Sequence, residues 1–267
     1  MQIKAIQKLT LLDFPGKTAA TVFTCGCNLR CPFCHNASLV IGAPKPEGEG
    51  SVNTPGEGSV NTPGEGLAGS SGGVFEDEPT VPESELFALL EKRRGLLDGV
   101  AITGGEPLLQ PDLPDFIRKI REMGFMVKLD TNGFLPGRLE DLIREGLVDY
   151  VAVDFKQTPG KYGEAVGIPQ IDPGPLLRSV RLLQDSGVAH EFRTTMVKGI
   201  HALSDITAIA AILGPGENYF LQMYVDSGDV LANRTGEADL CAFTQAEAEE
   251  ILDEARKVNP NVKLRGL

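Results

Sequence analysis

Four of the five cysteines in this 267-residue chain fall within ten residues, in FTCGCNLRCPFCHN, Phe23 to Asn36. Cys27, Cys31 and Cys34 make a C-x3-C-x2-C pattern, with Cys25 two residues ahead of it. An odd number of thiols, mostly clustered, argues for metal or redox chemistry in a reducing compartment and against a disulfide framework. Three thiolates leave a four-iron cluster one ligand short, which is useful when something else must bind the fourth iron. A structural zinc site wants four protein ligands, and Cys25 or His35 could supply the fourth.

The other candidate residues sit where short β-branched runs stop. In ITGGEP (Ile102 to Pro107), Gly104 and Gly105 let a backbone approach a ligand closely, and Glu106 follows them. In DTNG (Asp130 to Gly133), a carboxylate and an amide can accept from hydroxyl and ammonium groups, although Asn-Gly could be a plain turn. In DFKQ (Asp154 to Gln157), Lys156 either lines a site or pairs structurally with Asp154. Arg193, ahead of Thr194 and Thr195, either contacts a carboxylate or braces the fold. Core packing explains the Val, Ile and Leu of these runs, but not the recurrence of Glu106, Asp130, Asp154 and Arg193 at their ends. Of the histidines, His35 directly follows Cys34, His201 either approaches the site or lies on the surface, and His190 has no supporting context.

Those runs must be strands. They cover Ala19 to Thr24, Gly99 to Thr103, Met126 to Asp130, Tyr150 to Phe155, Phe192 to Val197 and Tyr219 to Tyr224. Helical patterns separate them, such as Asp112 to Met123 with Asp112 as N-cap and Gly124 just past the end; Gly146, Gly187 and Gly214 close later ones. A capping box, Thr244 with Glu247, opens a last helix running to about Val258. Alternating strand and helix with right-handed crossovers gives an α/β fold, either a barrel or a doubly wound sheet. Six strands fit a partial (β/α)6 TIM-like barrel best, and in barrels the chemistry sits at the C-terminal strand ends.

The chain reads as one domain, 1–267, interrupted at about 42–76. Gly42 to Gly73 has ten glycines and four prolines, and SVNTPGEG occurs twice in tandem. Such a composition buries too little apolar surface to offset ordering entropy, so a flexible surface insertion is expected. A net charge of −12 makes nucleic acid an unsuitable partner. The absence of a long apolar run predicts no membrane span, and the opening MQIKAIQKLTLLDFPG lacks a secretory pattern, which points to the cytoplasm.

With Phe33 as its aromatic, C-x3-C-x-aromatic-C resembles the signature of radical S-adenosylmethionine enzymes. The resemblance implies a radical-SAM-type barrel and a [4Fe-4S] cluster held by Cys27, Cys31 and Cys34, with Cys25 a bystander. S-adenosylmethionine would chelate the open iron through its amino and carboxylate groups. Gly104, Gly105 and Glu106 match the family's GGE motif, which binds the methionine amino group. Asp130, Thr131 and Asn132 are similar to the corresponding motif of glycyl-radical-enzyme activases, and imply contacts to ribose and ammonium. DFKQ resembles the D-L-K-Q of pyruvate formate-lyase activating enzyme, which puts Asp154 and Lys156 in the site; Arg193 joins them. His35 is expected near the adenine, and Phe33 and Asn36 among the cofactor-binding residues.

LDFPG near the N-terminus, FRTTMVKGIH, YFLQMYVDSGDV and VKLRGL extend the resemblance to the activases, most of all to the subgroup serving anaerobic ribonucleoside-triphosphate reductase. That subgroup implies a flavodoxin or ferredoxin as electron donor and a glycyl radical enzyme as partner. The implied chemistry is reductive cleavage of S-adenosylmethionine to a 5′-deoxyadenosyl radical, which takes a hydrogen from a glycine Cα. Phe33 where tyrosine is frequent, Cys25, and the insertion are the departures. Alternatives are an activase for pyruvate formate-lyase, a radical enzyme acting on a small molecule or peptide, and a zinc-stabilised binding module.

Overall fold

A computed structural model describes residues 1–40, 80–225, 230–232 and 240–266. The insertion expected at about 42–76 lies outside the described residues. The strands are β1 (Ile3–Thr10), β2 (Ala19–Thr24), β3 (Gly99–Gly104), β4 (Met126–Thr131), β5 (Tyr150–Asp154), β6 (Ala189–Met196), β7 (Tyr219–Met223) and β8 (Val262–Arg265). The helices are α1 (Ala37–Val40), α2 (Glu83–Lys92), α3 (Leu113–Glu122), α4 (Pro136–Arg144), α5 (Tyr162–Val166), α6 (Gly174–Ser186), α7 (Leu203–Leu213) and α8 (Gln245–Arg256).

All strands form one open sheet in sequence order, β1 to β8. From β2 onward every neighbour is parallel, as helix crossovers require, and β1 pairs antiparallel with β2 through a direct hairpin. The six expected strands are β2 to β7, a partial barrel. Eight are present among the described residues, because the alternating N-terminus and the VKLR of the C-terminus add a strand at each end. β6 also starts three residues before its expected beginning, at Ala189.

Alternation along the strands separates two chemistries. Val127, Leu129, Val151, Val153 and Phe192 are fully buried against the helix layer. α3, for example, buries Leu113, Phe116, Ile117 and Ile120. The opposite parity carries polar groups: Lys128 pairs with Asp130, and Arg193 reaches Asp130 and Asp154. Asp112 stands at the N-cap of α3 but makes no cap bond, and its carboxylate pairs with the Met1 ammonium. The capping box of α8 forms as expected: Thr244 Oγ1 accepts from the Glu247 N–H at 3.3 Å, and Glu247 Oε2 accepts from the Thr244 N–H at 2.8 Å. Among the described residues no helix is long and apolar enough to cross a membrane.

β8 is fastened by one buried carboxylate. Glu191 on β6 accepts from Arg265 Nη1 and Nη2, at 2.9 and 2.8 Å, and from the Tyr150 hydroxyl at 3.0 Å. The guanidinium also stacks 3.4 Å from the Phe220 ring centroid. Arg265→Ala strands a carboxylate whose side chain is 1% exposed, while the lost guanidinium was 34% exposed. The expected loss, read by urea denaturation, is therefore roughly 2–3 kcal/mol, below the ~3–5 of a fully buried pair. Adding Glu191→Leu should recover part of it.

Candidate functional site

β2 ends at Thr24, and Cys25 to Asn36 contains no helix or strand. Neighbouring elements satisfy its backbone. Cys25 N–H donates to Gln2 O at 3.1 Å, Gly26 N–H to Leu39 O at 2.8 Å, and Arg30 N–H to Val166 O at 2.9 Å. Gly26 O accepts from Glu106 N–H at 2.7 Å, Pro32 O from Ala232 N–H at 2.8 Å, and Cys34 O from Leu231 N–H at 3.2 Å. The approach of β3 to this loop leaves no room for side chains. A Cβ on Gly105 would sit 1.9 Å from Gly26 O, and one on Gly104, at φ +115°, 2.3 Å from Thr24 N. Gly167, at φ +68°, is packed as closely against Arg30 O, at 2.3 Å.

A cavity of about 240 Å³ lies at the C-terminal strand ends. Cys27, Cys31 and Cys34 border it with Phe33, His35 and Asn36, while Gly104, Gly105, Asp130, Thr131, Asn132, Asp154, Lys156 and Arg193 complete its wall. These are the expected site residues with one exception. Glu106 is fully buried and does not line the cavity. Its Oε1 accepts from Leu108 N–H at 3.0 Å and from the Thr131 hydroxyl at 2.8 Å, and its Oε2 from Asn132 N–H at 2.7 Å. Glu106 thus joins the end of β3 to the end of β4. Cys25 is also outside the cavity, its carbonyl accepting from Gln110 Nε2 at 2.8 Å.

The sequence profile of the radical SAM superfamily matches residues 21–218, which span this loop and the strands behind it. The chain belongs to the radical SAM superfamily. A Methanocaldococcus jannaschii protein with the provisional name glycyl-radical enzyme activating enzyme is 30% identical over 83% of this chain and 79% of its own length. The pyruvate formate-lyase-activating enzyme of Clostridium pasteurianum is 29% identical over 58% of this chain and 52% of its own. A 7-carboxy-7-deazaguanine synthase from Methanopyrus kandleri is 35% identical over 54% of this chain and 51% of its own. Among solved structures, Streptococcus suis SuiB bound to S-adenosylmethionine superposes with a TM-score of 0.61 at 14% identity, over 90% of this chain and 48% of that one. Escherichia coli QueE does so with 0.51 at 15% identity, over 100% of this chain and 94% of that one. These two show the fold.

Radical SAM membership implies a [4Fe-4S] cluster and S-adenosylmethionine, and the donors present fit them: soft sulfur ligands on one side, mixed charge and open backbone on the other. Among the described residues no three His, Cys, Asp or Glu side chains converge on a single-ion position. Burial pushes the Cys27 thiol up to about 11, against the Leu29 N–H that favours its thiolate, and Cys31 up to about 12. Metal uptake must therefore displace protons.

The wall is a ladder of opposite charges. Burial would push Asp154 up, but Arg193 and Lys156 beside it hold it down at about 2. Burial would likewise lower Lys156, and the Asp154 carboxylate 3.2 Å away outweighs that and raises it. Lys156 and Asp154 do form the structural pair the sequence allowed, and both still face the cavity. Arg193 bridges Asp154 at 2.8 Å and Asp130 at 3.1 Å, bracing two strands.

His201 is buried, neither on the surface nor on the cavity wall. Its Nδ1 accepts from Val197 N–H at 3.0 Å, so Nε2 carries the proton and donates to Lys156 O at 2.7 Å. Burial lowers its pKa, which agrees with this neutral form. The ring holds the Lys156 backbone in place.

Thr195 and Gln222 also line the cavity. Applying the strand-end rule to the YFLQMY run as well would have found Gln222.

Burial raises Glu106 to about 7 from a usual 4.5, although the Asn132 and Leu108 N–H groups and the Thr131 hydroxyl oppose it. The folded chain then binds the proton more tightly than the unfolded one, so stability is lost as pH rises from about 4.5 through 7. Urea midpoints at pH 5 and pH 8 should show wild type falling relative to Glu106→Gln. A gap independent of pH would mean that the carboxyl is ionised throughout.

Proposed function

We propose that this chain is an activase that installs a glycyl radical on a partner enzyme, anaerobic ribonucleoside-triphosphate reductase by the sequence signatures, and works in the cytoplasm. What carries the reading is the convergence of three thiols, two glycines and an Asp-Arg-Asp-Lys ladder on one cavity at the strand ends. The relatives named as glycyl-radical activating enzymes support it, and the longer match is to one of them.

Cys27, Cys31 and Cys34 would each hold one iron, leaving one free for the amino and carboxylate groups of S-adenosylmethionine. Reduced by one electron from a flavodoxin or ferredoxin, the bound cluster and S-adenosylmethionine would supply methionine and a 5′-deoxyadenosyl radical, which would take a hydrogen atom from a glycine Cα of the partner to give 5′-deoxyadenosine and the glycyl radical. The chain's own residues bind and position. Gly104 and Gly105 present open backbone on the cavity wall, where an ammonium group can be received. Lys156 and Arg193 supply cationic charge for a carboxylate, and Asp130 and Thr131 offer acceptors to ribose hydroxyls. Phe33, His35 and Asn36, on the cysteine loop itself, line the same cavity, and His35 would meet the adenine.

The match to a 7-carboxy-7-deazaguanine synthase keeps a small-molecule substrate as the second reading. The reconstituted, reduced protein mixed with S-adenosylmethionine and anaerobic ribonucleoside-triphosphate reductase should give a glycyl doublet in paramagnetic resonance. 5′-Deoxyadenosine without that doublet, with this partner and with pyruvate formate-lyase, would favour the second reading. Zinc in place of iron and labile sulfide would sink both.

The ligand assignment has its own check. Alanine at Cys27, Cys31 or Cys34 should reduce bound iron to near zero, whereas Cys25→Ala should retain about four irons per chain. Iron loss in Cys25→Ala to the level of the other three would overturn the assignment.

A further inference from the structure

We propose that Asn132 sets the reduction potential of the cluster by donating an amide N–H to the sulfur of Cys27. This rests on the cluster reading above, and differs from the ribose and ammonium contacts expected of Asn132 from sequence. The backbone N–H of Asn132 and both of its polar side-chain atoms have partners. Its backbone N–H is held by Glu106 Oε2 at 2.7 Å, and its Oδ1 accepts from Phe134 N–H at 3.0 Å. The second of these decides which way round the amide lies, because an N–H must face an oxygen. Nδ2 therefore points to the cysteine loop. It has two protons and two acceptors there, Asn28 Oδ1 at 2.7 Å and Cys27 Sγ at 3.9 Å. Cys27 Sγ also takes the Leu29 N–H at 3.4 Å, so this thiol receives two donors.

The Asn132 contact has an electrostatic consequence. An N–H aimed at a ligand sulfur stabilises the more negative, reduced state more than the oxidised one, and so raises the potential. Asn132 is buried, which leaves the dipole little screened by water. Its position is also fixed from two strands, since the carboxylate that holds its backbone belongs to the end of β3. Asn132 acts on the site through a ligand, as a positioning and tuning residue.

The test is a redox titration of the reconstituted full-length protein without S-adenosylmethionine, followed by the paramagnetic signal of the reduced cluster. Asn132→Leu removes the donor at similar volume, and Asn132→Asp keeps the shape while turning an acceptor toward sulfur. Both should bind iron as wild type does. The Leu variant should shift the one-electron equilibrium about tenfold toward the oxidised state, ~59 mV more negative, and the Asp variant further. Unchanged potentials in the loaded variants overturn the proposal while leaving the cluster reading intact. Failure of both variants to take up iron that wild type takes up also overturns it, because it assigns Asn132 to assembly. A wild type that takes up no iron removes the cluster reading itself, and the proposal with it.

Discussion

A peptide loop with no helix or strand of its own must find partners for its amides and carbonyls elsewhere, or pay for leaving them buried and bare. That constraint governs the site. The loop from Cys25 to Asn36 is satisfied by the β1 end, the α1 end, the turn after β3, the end of α5 and the segment at Leu231 and Ala232. Contact with β3 and with α5 is backbone to backbone, closer than any Cβ permits. The glycines at 104, 105 and 167 are therefore required by the chain's own packing, whatever ligand they also meet. Glu106 carries the constraint further: its amide holds Gly26 and its carboxylate holds Thr131 and Asn132. One residue registers the cysteine loop against two strands.

Charge is distributed on the same principle. Lys128, Arg193 and Lys156 face Asp130 and Asp154, three cations against two carboxylates, with each carboxylate touched by two of the cations. Buried ions persist when each has an opposite partner at short range, and removing one member costs far more than the pair contributes. The ladder has one cation more than it has carboxylates, and Lys156 is the cation that acts on the thiols. An anionic group entering the cavity is thus welcome at the wall that adjoins the cysteines. Arg193 is shared between strands β4 and β5, so the charges that would receive a ligand also hold the barrel staves together.

Much of this was readable from residue types and spacing, because strand ends announce themselves when a polar residue interrupts a β-branched run. The six central strands and the wall residues Asp130, Asp154, Lys156 and Arg193 were found that way. β1 and β8 were not. β1 is an amphipathic edge strand with half of its residues exposed, and β8 is four residues long with two charges, so neither shows the apolar density of a central strand. Early β6 was hidden for a related reason. His190 and Glu191 look like loop residues until Arg265, far along the chain, and Glu217 supply their partners. Long-range pairing also explains Glu106. A carboxylate after two glycines reads as a ligand, and only the folded chain shows three donors already occupying it. His201 is the same case, since the Lys156 carbonyl that claims its proton lies 45 residues away.

Burial has opposite effects on the two halves of the cavity. It drives the Cys27 and Cys31 thiols toward the neutral form, and these two sulfurs are then uncharged until a cation takes their protons' place. On the facing wall the same loss of water strengthens the attraction of Asp154 for Arg193 and Lys156, which keeps that side ionised. Metal loading consequently changes the charge of one side only. The bonds that shape the cysteine loop run mainly through amides and carbonyls, not through sulfur. Its geometry can therefore be in place before any iron arrives, and the energy of forming thiolate bonds need not be spent on folding the loop.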